Sequence, residues 1–278
     1  MGHNKRYNYD IKGEFMNKTS FSIRTFTAFA AVLFFTSHPG AEVSEFSNDW
    51  ESFIVNDQYR IVNNVWNKDA RTGDYTQSII KGDDFFGWKW NWKGDKNVVL
   101  SYPEVMNGDS PWNEDPNLNP EFPFQAGSKK LTVDFDIELQ TKGKCNMAFE
   151  FWALSALPSK KENISQEIMI WNYNKTGDSW TWARYVGKFK ADGIVYDVYH
   201  KSNHGDESGV NSNKWTYTAI VARKPFLQGT LNVHLFIDYL ISKKILTKDN
   251  YIANLELGNE VRDGTGSAVI KKYDVKVE

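Results

Sequence analysis

The 278-residue chain lacks several features that would point to particular classes of protein. Its single cysteine, Cys145, excludes an internal disulfide framework and any metal site built from several cysteines. It has 33 Lys and Arg against 35 Asp and Glu, and this balance leaves no basic footprint for nucleic acid and no polybasic membrane patch. The chain also has no G-x-S-x-G, P-loop or G-x-G-x-x-G motif, so neither a hydrolase triad nor nucleotide chemistry is supported. We therefore expect no nucleic-acid partner, no metal and no cofactor.

The apolar runs are too short to span a bilayer comfortably. One of them, Phe26–Phe35, follows the basic residues Lys18 and Arg24 and precedes Ala41. This order is typical of a secretory signal peptide, here over residues 16–41. It predicts a secreted protein with no membrane anchor in the mature form. Residues 1–15 precede a second plausible start, Met16, and are interpreted as a leader or extension. Residues 42–278 are expected to form a single domain.

Aromatic residues are abundant, with 11 Trp, 13 Tyr and 18 Phe. Because aromatic faces are good platforms for flat apolar ligands, including the C–H faces of sugar rings, this composition leans toward a glycan-handling protein. Short aromatic and β-branched segments recur along the chain, separated by Gly, Asn and Asp clusters, and this pattern predicts an all-β sandwich. The predicted strands are Arg60–Trp66, Phe86–Trp92, Leu131–Leu139, Asn146–Trp152, Glu167–Trp171, Trp180–Tyr185, Ile194–Tyr199, Trp215–Ala222, Tyr251–Leu257 and Ser267–Val277.

One segment has helical rather than strand periodicity. Five apolar residues after Gly229-Thr230 recur at helical spacing, which predicts one amphipathic helix with Thr230 as a candidate cap. They are Val233, Phe236, Ile237, Leu240 and Ile241. Residues 105–128 and 200–214 are rich in turn-forming or polar residues and are predicted to be long loops.

The clearest candidate site residue is Glu167. Strand side chains alternate between two faces, so Glu167 shares a face with Met169 and Trp171, while Ile168 and Ile170 mark the opposite face as core. A carboxylate beside an aromatic platform suits sugar chemistry. The same pattern also suits an exposed strand that happens to carry a glutamate.

Other segments offer similar candidates and similar alternatives. Glu150 lies on the face opposite the core-facing Phe149 and Phe151. Glu260 follows Gly258 at a strand end, where a glutamate is also commonly just solvated. Asn64 and Trp66 share a face, which suits sugar hydroxyls or a strand end. A further set lies on one face of its strand and suits either core or cleft: Trp88, Trp90 and Trp92.

Taken in order, several motifs resemble glycoside hydrolase family 12, whose members are secreted β-1,4-glucanases with a β-jelly-roll fold. The motifs are Asn63-Asn64-Val65-Trp66, Ser101-Tyr102-Pro103, Glu167-Ile168-Met169-Ile170-Trp171, Ile220-Val221-Ala222 and Gly258-Asn259-Glu260. The resemblance extends from about residue 50 to the C-terminus, and the E-x-M-x-W strand is its most specific part. It implies a two-sheet, concanavalin-like jelly-roll sandwich with one amphipathic helix and a concave substrate cleft.

The resemblance also implies residue roles. Glu167 matches the nucleophile of a retaining double displacement, and Glu260 matches the general acid/base. Glu150 matches a supporting carboxylate, at a position where the family usually has Asp. Four further residues match positions that line the family cleft and are expected to bind substrate: Asn64, Trp66, Met169 and Trp171.

The expected function is that of a secreted, monomeric endo-β-1,4-glucanase acting on cellulose-type glucan, mixed-linkage glucan or xyloglucan. Two alternatives stay open. A non-catalytic glycan-binding module on a similar sandwich would keep the tryptophans but would not need the glutamate pair. A related jelly-roll xylanase would share the two-glutamate chemistry and differ in substrate.

Overall fold

The fold consists of two layers of β-strands that share one long strand. The computed structural model describes residues 43–95, 97–206, 208–209 and 211–278. The expected leader (1–15) and signal peptide (16–41) lie outside the described residues. Within the described part of the chain, no helix has the length and apolar character needed to cross a membrane.

The regular elements follow one another along the chain with short connections. The strands are β1 (Ser44–Phe46), β2 (Ser52–Val55), β3 (Tyr59–Val62), β4 (Tyr75–Lys81), β5 (Phe86–Trp92), β6 (Glu104–Gly108), β7 (Phe124–Gln125), β8 (Leu131–Leu154), β9 (Ile164–Asn174), β10 (Arg184–Ala191), β11 (Ile194–His204), β12 (Trp215–Ala222), β13 (Gln228–Leu231), β14 (Tyr251–Ile252), β15 (Asn254–Gly258) and β16 (Val261–Val277). The helices are α1 (Val233–Ser242) and two 3₁₀ turns at Lys68–Ala70 and Lys161–Asn163.

The strand order places β8 at the centre of both sheets. The first sheet has the order β1-β4-β5-β16-β8-β13. The second has the order β2-β3-β6-β15-β8-β9-β12-β11-β10, in which β12 and β9 are parallel. The first half of β8 pairs with β16, and the half from Asn146 onward pairs with β9. The two sheets are therefore continuous through one 24-residue strand.

The core lies between the two sheets. The inner face of the second sheet contributes Phe149 and Phe151 from β8 and Ile168 and Ile170 from β9, all fully buried. The first sheet contributes the indoles of Trp88, Trp90 and Trp92, which the structure places in the core and not in a cleft. The strand alternation expected for β8 and β9 is confirmed.

The single α-helix among the described residues agrees with the predicted periodicity, and its buried residues are Val233, Phe236, Ile237 and Leu240. The proposed cap is wrong, because Thr230 lies in β13 and donates its hydroxyl to Asp134. Residue Asn232 occupies the cap position and makes no side-chain capping hydrogen bond.

Several predicted boundaries are also wrong, and the strand expected at Arg60–Trp66 ends at Val62. Trp180 lies in a turn with φ of 57°, so the strand expected at Trp180–Tyr185 begins only at Arg184. The loop expected at 200–214 is shorter, because β11 continues to His204 by pairing with Trp215 of β12. The loop expected at 105–128 includes β6 and β7, which leaves residues 109–123 irregular.

Candidate active site

Strand β9 places Glu167, Met169 and Trp171 on the outer face of the second sheet. Met169 and Trp171 are almost fully buried, at 1% exposure each, whereas the Glu167 side chain keeps 12% of its surface exposed. The intervening isoleucines fix this orientation because they are packed between the sheets. Glu167 is therefore a carboxylate in a mostly apolar setting that solvent can still reach.

Neighbouring strands bring more glutamates to the same face. Glu150 of β8 lies directly between Met169 of β9 and Glu256 of β15 in the strand register. Glu104 of β6 pairs with Gly258, and Glu104, Glu150 and Glu256 are all 4–5% exposed. We call this surface the glutamate face, defined by its five glutamates: Glu104, Glu150, Glu167, Glu256 and Glu260.

The Glu167 carboxylate has two aromatic neighbours that come from distant parts of the chain. The indole Nε1 of Trp215 donates a hydrogen bond of 2.7 Å to Oε2 of Glu167. The Nε2 atom of His204 lies 3.7 Å from the same oxygen. Tyr217 is the direct partner of Glu167 in the parallel β12–β9 register, and its hydroxyl lies 3.4 Å from the sulfur of Met169.

Glu260 is held by a buried amide. Its backbone N–H donates to Oδ1 of Asn146 at 2.8 Å, and Nδ2 of Asn146 donates to its carboxylate. The preceding Asn259 is fully buried and accepts a 2.7 Å hydrogen bond from the indole of Trp88 in the core. Gly258 is required here, because a Cβ atom would lie 2.8 Å from the carbonyl oxygen of Pro103. These contacts fix the turn that presents Glu260.

The pKa of Tyr217 indicates that the carboxylates converge. Burial raises this pKa well above its usual value, and the negative charges of Glu260, Glu167 and Glu150 raise it further. A negative charge near a phenol disfavours its ionised form, and low-dielectric surroundings strengthen this effect. Glu150, Glu167 and Glu260 thus all act on one tyrosine, which is the register partner of Glu167.

Burial also perturbs the inner glutamates. The pKa of Glu150 is raised well above its usual range, first by burial and then by the charges of Glu167, Glu104 and Glu260. Burial raises the pKa of Glu104 to about 7, although a hydrogen bond from Asn64 opposes this. Burial raises the pKa of Glu256 as well. The glutamate face therefore combines buried carboxyls of raised pKa with the more accessible Glu167 and Glu260.

Asn64 and Trp66 lie at the edge of this face, in the segment that follows β3. Nδ2 of Asn64 donates to Glu104 at 2.8 Å, and Oδ1 of Asn64 accepts the backbone N–H of Trp66 at 3.0 Å. The ring of Trp66 packs against the cluster that contains Trp171 and Tyr102. Asn64 and Trp66 therefore belong to the same surface as Glu167. The prediction that they lie in a strand is wrong, because β3 ends at Val62.

Aromatic rings form a continuous series across the glutamate face. Successive ring centroids are 4.8–5.8 Å apart. The rings in contact are those of Trp112, Trp215, His204, Tyr217, Trp182, Trp180, Trp171 and Tyr199. The series passes Glu167 through Trp215 and His204, and it includes Trp182, which is 42% exposed and open to stacking.

All seven site residues expected from the sequence lie on this one surface, with Glu260 at a strand end as expected. Sequence reasoning missed Glu104, Glu256, Tyr217, Trp215 and Asn146. Alternation within β15 does place Glu256 opposite the core-facing Leu255 and Leu257, and that signal could have identified it. No group of His, Cys, Asp and Glu among the described residues is arranged to hold a metal ion.

Comparison with known proteins agrees with this geometry. The sequence model of glycosyl hydrolase family 12 matches residues 57–278. The chain is 27% identical over 241 residues to endoglucanase S of Pectobacterium parmentieri, with 84% of this chain and 87% of the relative covered. It is 21% identical over 250 residues to the xyloglucan-specific endo-beta-1,4-glucanase A of Emericella nidulans, with 84% and 91% covered.

Solved structures show the same similarity in three dimensions. The native family 12 xyloglucanase from Bacillus licheniformis superposes with a TM-score of 0.75 at 27% identity, and the alignment covers 84% of this chain and all of that one. Endoglucanase 3 of Trichoderma harzianum, at 17% identity and a TM-score of 0.67, shares the fold. The jelly-roll sandwich expected from the sequence is confirmed. Since the family model spans most of the sequence, this chain belongs to glycosyl hydrolase family 12.

Proposed function

We propose that this protein is an endo-β-1,4-glucanase that hydrolyses internal bonds of cellulose-type glucan, mixed-linkage glucan or xyloglucan with retention of configuration. The proposal assigns Glu167 as the nucleophile, Glu260 as the general acid/base and Glu150 as a supporting carboxylate. The observation that carries it is the placement of these three glutamates on the outer face of a family 12 sheet, where Glu150 lies on the strand paired with that of Glu167 and Asn146 of the same strand holds Glu260.

The chemistry has two steps. In the first, the Glu167 carboxylate attacks the anomeric carbon while Glu260 donates its proton to the glycosidic oxygen, so the bond to the leaving sugar breaks and a glycosyl ester forms. In the second, Glu260 takes a proton from water, the water oxygen attacks the same carbon, and Glu167 is released as a carboxylate. The two inversions give net retention.

Glu150 is assigned a supporting role for Glu167 in this cycle. The pKa of Glu150 is raised well above the usual range, first by burial and then by the charge of Glu167, and this shift favours the protonated carboxyl. A protonated carboxyl can donate a hydrogen bond to a carboxylate. We therefore assign Glu150 to stabilising the ionised form of Glu167 without adding a second negative charge beside it.

The substrate would lie along the aromatic series. Rings extend past Glu167, from Trp112 to Trp171, and such a surface suits a polymer that passes through and is cut internally. In the proposal, Trp66, Met169 and Trp171 shape the floor and edge of the binding surface, and Asn64 supplies polar contacts beside Glu104. The partner is a β-glucan chain.

Secretion through the signal at 16–41 and a monomeric state complete the proposal. N-terminal sequencing of the exported protein checks the first, and sedimentation of the purified protein checks the second.

The decisive experiment compares the wild-type protein with Glu167→Gln on four polymers: carboxymethyl cellulose, mixed-linkage β-glucan, xyloglucan and xylan. We expect release of reducing ends from at least one β-1,4-glucan, and a loss of roughly 10³- to 10⁶-fold in Glu167→Gln, because the amide is no nucleophile. Proton NMR of the first product should show the β-anomer. Glu162→Gln, an exposed glutamate on a 3₁₀ turn, is the matched control and should keep full activity.

Other outcomes would redirect the assignment. Appreciable activity in Glu167→Gln contradicts the nucleophile. Cleavage of xylan alone indicates the related xylanase activity. Binding to a polymer without any release indicates a non-catalytic glycan-binding module.

A further inference from the structure

Trp215 is the first residue of β12, which pairs in parallel with its neighbour β9. This parallel pairing brings Trp215 beside Glu167, although the two are 48 residues apart in the chain. The indole is 4% exposed, and its Nε1 lies 2.7 Å from Oε2 of Glu167. A buried tryptophan therefore donates a short hydrogen bond to this carboxylate.

The chemistry of that hydrogen bond favours one ionisation state. An indole N–H is a donor only, so it interacts best with an oxygen that carries negative charge. The other groups that face Glu167 act differently: Glu150 from β8 and Glu260 beyond β15 are acidic, and Tyr217 from β12 is a buried phenol. Trp215 is thus an uncharged hydrogen-bond donor to Glu167, whose other neighbours are two carboxyl groups and a phenol.

His204 of β11 faces the same oxygen from 3.7 Å without supplying a charge near neutral pH. Its pKa is lowered to about 4, first by burial and then by the positive charges of Lys201 and Lys214, while Asp206 opposes the shift. Its ring packs at 5.8 Å from the ring of Trp215. Well above pH 4 the His204 ring is uncharged, and its contact with Trp215 limits the movement of the indole.

Trp112 holds the other side of Trp215. It comes from the irregular segment 109–123 and contacts Trp215 edge to face at 5.7 Å and Trp152 at 5.1 Å. Trp152 and Trp215 also touch at 5.8 Å, so three indoles support one another. The segment is attached to the sheet by the Asp115–Arg60 ion pair at 3.6 Å.

We infer that Trp215 is a positioning residue for the nucleophile: its N–H holds Oε2 of the Glu167 carboxylate, and Trp112 and His204 hold the indole in place. The inference rests on the proposed function of Glu167. It gives segment 109–123 a role in catalysis through Trp112, although this segment lies outside the strands that carry the glutamates.

The test is Trp215→Phe, which removes the N–H and keeps an aromatic ring. Loss of a hydrogen bond to a charged group corresponds to a fall in kcat of about 10- to 100-fold. KM should change little. The acidic limb of the kcat/KM profile should move to higher pH, because the ionised carboxylate loses a donor. Trp90→Phe is the matched control: its indole N–H is buried in the core without a hydrogen-bond partner, so its profile should match the wild type.

The possible outcomes test the positioning role of Trp215 separately from the proposed function of Glu167. Wild-type kcat and an unmoved acidic limb in Trp215→Phe overturn the positioning role, and so does a loss of activity that leaves the acidic limb in place, since that indicates a merely structural effect. Activity in Glu167→Gln would instead overturn the proposed function itself. If Trp215→Phe does not fold, Trp112→Ala serves as the second variant. It should shift the acidic limb in the same direction by a smaller amount, and an unmoved limb there overturns the inference.

Discussion

Glu104 shows how much a single residue depends on its surroundings. It is 4% exposed, accepts a hydrogen bond from Asn64 at 2.8 Å, and lies beside the equally buried Glu256. Burial raises its pKa to about 7 from the usual 4.5. Taking a carboxylate out of water costs free energy unless the charge is compensated. Burial therefore favours the neutral form of Glu104.

This shift predicts a pH dependence of stability. Between pH 4.5 and about 7 the folded protein keeps a proton on Glu104 that the unfolded chain has lost. The folded state then binds more protons, so the free energy of unfolding should fall as pH rises through this range, by up to about 1.4 kcal/mol per pH unit. In Glu104→Gln the group cannot ionise, and the fall should be smaller.

Urea unfolding of the wild type and Glu104→Gln at several pH values measures this difference. Glu256 and Glu150 continue to contribute in the variant, so the slope should shrink without vanishing. Parallel curves for the two proteins would show that the proton is held elsewhere.

At the residue scale, alternation predicted Glu150 and Glu167 because their own neighbours, Phe149 and Ile168, mark the core. Trp215 and Tyr217 could not be assigned in this way. Their role depends on the parallel pairing of β12 with β9, and a pairing between strands about 50 residues apart leaves no signal within either strand. Glu104 was missed because the rest of its strand, from residue 105 onward, falls in the segment predicted to be a loop.

At the scale of elements, an ion pair joins the turn between β9 and β10 to the beginning of β16. The guanidinium of Arg262 donates to both carboxylate oxygens of Asp178, at 2.7 and 2.8 Å, and the two side chains are only 10% and 14% exposed. The same turn carries Trp180, which stacks on Tyr199 at 4.8 Å. This ion pair therefore fixes one end of the aromatic series.

Asp178→Ala should destabilise the protein by about 3–5 kcal/mol, because it leaves a largely buried guanidinium without its partner. Urea unfolding at neutral pH gives this value. Glu138→Ala breaks the solvent-exposed pair with Lys271 and should cost about 0–1 kcal/mol, which makes it the control. A loss below about 1 kcal/mol for Asp178→Ala would mean that Arg262 finds another partner or water.

Elements with strong periodicity were predictable, but the ends of most of them were not. Phe86–Trp92 and Trp215–Ala222 agree with the structure at both ends. The segments Leu131–Leu139 and Asn146–Trp152 were predicted separately, but they form one strand, because Gly143 meets Gly264 of β16 at a close approach that no side chain could enter. The local sequence of β8 does not show that β16 pairs with it across Gly143, and this pairing makes the strand continuous.

At the scale of the whole molecule, β8 determines how the two sheets depend on each other. Its first half lies in the first sheet and its second half in the second, next to both Glu167 and Glu260. Cys145 sits at the crossing point, paired with Val261 and fully buried. Separating the sheets would break this strand's pairing on both sides, so we expect them to unfold together.

The thiol of Cys145 reports on that cooperativity. Burial raises its pKa, and the reactive form of a cysteine is the thiolate, so the native protein should react very slowly with a thiol reagent. Across a urea titration, labelling of Cys145 should follow the same transition as far-UV circular dichroism. A double variant, Cys145→Ser with Ser155→Cys, moves the thiol to an exposed turn and should label at once in native buffer. Rapid labelling of Cys145 below the transition would show instead that β8 opens locally, and the site glutamates would then rest on a sheet that separates from its partner before the protein unfolds.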